Sequence, residues 1–177
     1  MTRKADFNAE EWSTVVDAPL YAGMHVIAAD RGGTLRESLA LGRVYQAARE
    51  GQAGSELMDE LVKSPPSIDP NRVRDERANL GAVVQERLRA AVGTLSAKAS
   101  PEEVDDYKRF VMTVAQTVAA AHKEGGFLGI GGKPVSDAEN RALDEISSAF
   151  AWRWTKGERL PGRRRKWLTP VCSASSA

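Results

Sequence analysis

Few residues in this chain are of types that do chemistry, and their spacing narrows what that chemistry could be. The two histidines, His25 and His122, carry no His-x-x-x-His or Glu-x-x-His partner, the spacings that put two metal ligands on one helical face. His25 lies between Met24 and Val26 and reads as a satisfied interior or boundary histidine. His122, beside Lys123 near a helix end, reads as a cation set against the helix dipole. With Cys172 the lone cysteine, the sequence offers no intramolecular disulfide and no thiolate metal cluster. A hydrolytic dyad or triad needs a Ser or Cys, a His and an acid to converge. No such constellation is spelled out, and the chain reads as non-enzymatic, with no organic cofactor.

The run Gly125-Gly126-Phe127-Leu128-Gly129-Ile130-Gly131-Gly132-Lys133-Pro134 invites a phosphate-binding reading, since glycine lets backbone amides approach an anion. The letters do not fit. A P-loop needs Gly where Phe127 stands and Ser or Thr where Pro134 stands, and it follows a strand, whereas this run follows a helical pattern. A dinucleotide fingerprint would place its third glycine at Pro134. The run reads instead as a helix-ending glycine pair followed by a loop that tucks Phe127, Leu128 and Ile130 against the body.

Two places hold charge that could recruit a ligand. Asp30, just before Gly32-Gly33 and the acidic helix start at Glu37, could gather oxygens around a divalent cation; the plainer reading is a solvated helix end with a capping glutamate. Arg163-Arg164-Arg165-Lys166-Trp167 could hold phosphates by charge while the indole stacks on a base, as single-strand nucleic-acid contacts do; the plainer reading is a solvated, flexible tail. From Ala151 onward there are seven Lys or Arg against one acid, Glu158, so with an overall charge of +1 the preceding body is mildly acidic.

The elements that must position these residues are helical. Asn8 with Glu11, Thr34 with Glu37, Ser100 with Glu103 and Ser136 with Glu139 have the cap-x-x-Glu spacing in which each side chain satisfies an amide of the other. Behind the first, Trp12, Val15, Val16, Leu20, Met24 and Ile27 recur at three and four, with Pro19 expected to kink or restart the helix. Behind the third, Val104, Tyr107, Val111, Val114 and Val118 do the same, with Ala115, Ala119 and Ala121 small enough for close helix approach. A short helix is expected near Ser55 to Val62, a stop at Ser64-Pro65-Pro66, a restart at Asp69-Pro70, and a helix from about Val73 to Lys98 built on Leu80, Val83, Val84, Leu88, Ala91, Val92 and Leu95.

No stretch alternates like a strand. The expectation is an all-α compact bundle of about six helices over residues 1–150, followed by a basic, Trp-containing tail over 151–177. At 177 residues, 42% hydrophobic and 28% charged, the chain can bury one core and is not of disordered composition. The start, Met1 to Asp6, lacks the apolar stretch of a signal peptide, and no run approaches the roughly 18–20 apolar residues that span a bilayer, so the expected location is the cytoplasm.

One pattern occurs twice: capped start, alanine-rich helix, double glycine, second capped start. It is a pseudo-duplicated helical hairpin, and its two long helices should pack antiparallel or be related by an approximate twofold axis. The phrase Ala28-Ala29-Asp30-Arg31-Gly32-Gly33-Thr34-Leu35-Arg36-Glu37, with its counterpart Gly131-Gly132-Lys133-Pro134-Val135-Ser136-Asp137-Ala138-Glu139, resembles the TerB-like tellurite-resistance family. The likeness covers about 60 residues in two pieces. It implies an all-helical duplicated bundle acting in a stress-associated setting through a protein partner or weak divalent-cation binding. The family's acidic turn residues would fall on Asp30, Glu37 and Glu139. The alternative is a nucleic-acid-associated module using the basic tail.

Overall fold

The computed structural model describes residues 1–29, 35–50, 55–64, 66, 79–123 and 136–150, with the side chains of 35–39, 122 and 123 outside that description. Among the described residues the chain is all-α. A 3-10 turn, Lys4–Asp6, precedes six helices: α1 Ala9–Ala29, α2 Leu35–Glu50, α3 Glu56–Lys63, α4 Leu80–Ser96, α5 Pro101–Lys123 and α6 Asp137–Ala149. No helix of the described residues is long and apolar enough to cross a membrane.

Three of the expected capping boxes are built. Glu11 N–H donates to Asn8 Oδ1 at 2.8 Å and Asn8 N–H to Glu11 Oε2 at 2.8 Å. Ser100 and Glu103 exchange bonds of 3.3 and 3.0 Å, and Ser136 and Glu139 bonds of 3.1 and 2.7 Å. Each pair satisfies two orphan amides of a first turn, which is why these helices begin where the spacing says. Thr34, of the remaining pair, lies outside the described residues. Ser55 caps α3, accepting from Met58 N–H at 3.3 Å, and Ser64 ends that helix. The helix expected from Val73 is described from Leu80; residues 67–78 lie outside the description.

The two long helices run parallel, not antiparallel. Tyr107 of α5 meets Val15 of α1, and further along Gly23 faces Val114 and Val118, so the register advances in step along both chains. Their capped starts sit at the same end. α4 is antiparallel to α1, with Arg87 on Tyr21 and Gly81 beside His25. The second helix of each hairpin crosses over: α2 packs mainly on α5 and only lightly on α1, while α6 packs on α4 and α1 more than on α5.

This crossing leaves α1 enclosed. Its expected stripe holds at Trp12, Val15 and Val16, but the buried face then turns to Tyr21, Ala22, Gly23 and Val26, leaving Leu20 and Met24 half-buried. α5 keeps its stripe, with Val104, Tyr107, Val111, Val114 and Val118 all buried. Gly23 permits the closest approach, because a Cβ there would stand 2.9 Å from Leu41 Cδ1 of α2.

Pro19 lies buried inside α1, and the helix neither stops nor restarts there. The reason is a bond from the other repeat. Proline has no N–H, so the carbonyl four residues back, Val15, loses its helical donor. The fully buried Tyr107 donates its hydroxyl to that carbonyl at 2.9 Å. A buried carbonyl without a partner costs about 1–3 kcal/mol, and Tyr107 removes that cost.

Candidate functional site

Besides the capping boxes and the Thr2–Glu103 contact at the start of α5, polar groups of the described residues meet at two places along α1. The first is where α1, α4 and α6 converge. His25 Nε2 and Glu145 Oε2 are 2.7 Å apart across 120 residues of sequence, the imidazole 12% exposed and the carboxylate 45%. Gly81 makes this meeting possible. A Cβ at that position would lie 3.2 Å from both Glu145 Oε2 and His25 Cε1, so the lack of a side chain lets α4 close over the pair.

Glu145 also answers a need of α4. That helix has no acid in its first turn and no side-chain bond from its N-cap, Asn79. A carboxylate brought in by α6 beside Gly81 supplies negative charge where the helix dipole is positive. A turn and a half further along α4, the Arg87 guanidinium lies 4.2 Å from the Tyr21 ring centroid, a cation–π contact on the same α1–α4 seam. A histidine with a carboxylate beside it supplies two of the three members of a hydrolytic triad. Among the described residues the hydrogen-bond partner of His25 is Glu145.

The second place is the seam between α1, α2 and α5. Asp17 is buried and accepts from Ser13 Oγ at 3.0 Å. Tyr45 packs edge-on against Phe110 with ring centroids 5.3 Å apart, and its buried hydroxyl has no hydrogen-bond partner among the described residues. Burial first, and then the charge of Asp17, push the Tyr45 phenol well above its ordinary value. Burial does the same to Tyr107, with Tyr45 and Asp17 adding to it. Burial thus disfavours the charged form of both phenols.

The residues singled out in the sequence fare differently. Asp30 and the tail residues Arg163, Arg164, Arg165, Lys166 and Trp167 lie outside the described residues. Glu37 is in the opening turn of α2, its side chain outside the description. Glu139 is 2% exposed, and its Oε2 accepts from Ser136 N–H as the capping box of α6. Among the described residues no group of three or more His, Cys, Asp or Glu is gathered as a metal would need. His25 is the satisfied boundary histidine its neighbours imply, but Glu145, which satisfies it, carries no signal at such a separation. Scans against protein-family models, curated proteins and solved structures found no match.

Proposed function

We propose that this is a non-catalytic helical protein of TerB-like build, acting in the cytoplasm in a stress-associated role through contact with a protein partner, assisted by weak binding of a divalent cation. The observation that carries the reading is the pair of crossed hairpins. In both, a capped long helix leads through a glycine-containing connection to a second helix, whose start has the cap-x-x-Glu spacing in the sequence. Among the described residues, Tyr107, Glu139 and His25 serve a proline gap, a helix start and a helix-to-helix tie. The cation's ligands are Asp30 and Glu37, which flank the α1–α2 connection; Glu139 already serves its own helix start.

The test is a thermal melt of the full chain with and without millimolar calcium, magnesium, manganese or zinc, repeated with Asp30→Asn. A ligand at a hundred times its dissociation constant adds about 2.7 kcal/mol of apparent stability. A rise with one cation that vanishes in the variant supports the reading, and no rise with any cation removes its metal half. The charge contrast between body and tail favours a second reading, a nucleic-acid-associated module. Under it, deleting residues 151–177 abolishes binding to single-stranded oligonucleotides and leaves the melt of the body unchanged.

A further inference from the structure

Residues 1–7 contain one three-residue turn and are held to the bundle by groups from other elements. Thr2 is only 6% exposed. Its N–H donates to Glu103 Oε1 at 2.9 Å and its hydroxyl to Glu103 Oε2 at 2.8 Å. Arg3 Nε lies 3.0 Å from Glu56 Oε2, Lys4 N–H donates to Glu60, and Phe7 rests on Trp12 with ring centroids 5.5 Å apart. Lys98 closes the far end, donating to Asp6 O at 3.0 Å and to Glu11 Oε2 at 2.6 Å.

Glu103 differs from the other ties. It is 7% exposed, and the oxygen that takes the Thr2 hydroxyl also accepts from Ser100 N–H in the capping box of α5. One carboxylate thus starts a helix and holds the segment laid across it. We propose that residues 1–7 form a releasable strap latched by the Glu103 carboxylate, and that neutralising this carboxylate opens the strap as a unit while the helical bundle stays folded.

Burial alone would raise the Glu103 pKa, but the bonds from Ser100 N–H, Thr2 N–H and the Thr2 hydroxyl, with the amino group at Met1, hold it below the ordinary glutamate value. A lowered folded pKa gives stability that is present above the ordinary value and lost as pH falls through the folded one. Acid therefore opens the latch. The other charged groups around it are Arg3, Lys4 and Asp6 on the strap, Glu56 and Glu60 on α3, Lys98 in the α4–α5 turn and Glu11 on α1. Glu11 is lowered too, chiefly by its bond from Lys98, so the far tie loosens in the same direction.

The experiment is amide hydrogen exchange on the full chain at about pH 6 and about pH 3.5, either side of the ordinary glutamate pKa, with exchange corrected for its intrinsic pH dependence. Glu103→Gln is the informative variant. Glutamine still serves a capping box, but it turns one of two acceptor oxygens into a donor facing N–H groups. At the higher pH the variant should lose protection at Thr2, Lys4 and Phe7 by roughly tenfold or more while Val111 and Val114 keep theirs, and trypsin should cut after Arg3 and Lys4 correspondingly faster. Wild type should show the same selective loss in acid. Should Glu103→Gln fail to fold, Thr2→Val, which removes only the hydroxyl, must weaken strap protection severalfold. Unchanged strap protection in either folded variant, or acid loss that strikes strap and α5 together, overturns the proposal.

Discussion

α1 and α5 begin alike and diverge in the middle. Aligned on their caps, with the 92-residue separation that also joins Val15 to Tyr107, Asn8 matches Ser100, Glu11 matches Glu103 and Pro19 matches Val111. One copy has a gap in its backbone ladder. The other has none, and it carries, at the position equivalent to Val15 itself, the phenol that fills the gap. Two copies of one pattern have become complementary parts: a proline that would weaken α1 alone fixes the register of α1 against α5.

The sharpest way to break that pairing is Tyr107→Ala. Emptying a fully buried aromatic site and orphaning the Val15 carbonyl should cost about 3–5 kcal/mol, read as a fall in the urea midpoint. Tyr107→Phe, which keeps the ring, should cost about 1–3 kcal/mol. Tyr45→Phe sharpens the comparison from the other side. Its hydroxyl is buried without a partner among the described residues, so removing it should leave the melt unchanged or raise stability by up to about 1 kcal/mol.

Acid titration compares the starts of the same two helices. Glu11 and Glu103 are both held below the ordinary glutamate value, so the stability each contributes is present above that value and is lost as pH falls through the folded pKa. Stability measured by denaturant should fall below about pH 4.5, and Glu103→Gln should flatten that fall. The smallest expected effect concerns glycines. Gly93 of α4 has open space around it, so Gly93→Ala should stabilise by about 0.5–1 kcal/mol. Gly23→Ala gains the same helical preference but sets a Cβ 2.9 Å from Leu41 Cδ1, and the net gain should disappear.

What could be read in advance follows the range of the forces involved. Capping boxes and apolar stripes are written within a few residues, and Asn8, Ser100, Ser136 and the α5 stripe stand where the spacing places them. The direction in which two helices pack is set by contacts far apart in sequence, so the expectation of an antiparallel or twofold-related pair does not specify the parallel pairing of α1 and α5. Pro19 points to a kink or restart because a helix considered alone has no replacement donor; the donor lies in the other repeat. Tyr107 was legible only as one more apolar position, since nothing in its spacing says what its hydroxyl is for. Glu145 is a surface-like acid on an amphipathic helix until folding brings it to His25. Asp30 and the tail basic cluster, the residues whose types pointed most openly to a ligand, lie outside the described part of the chain.

The account turns on the bond between the two repeats, and a double-mutant cycle of Pro19→Ala with Tyr107→Phe, read by chemical denaturation, tests it most directly. Alanine restores an N–H to position 19, so Val15 regains a donor within its own helix. The account predicts that Tyr107→Phe costs about 1–3 kcal/mol beside Pro19 and under about 0.5 kcal/mol beside Ala at that position. An equal cost in both backgrounds would contradict it, and would mean that the Tyr107 hydroxyl does something other than complete α1.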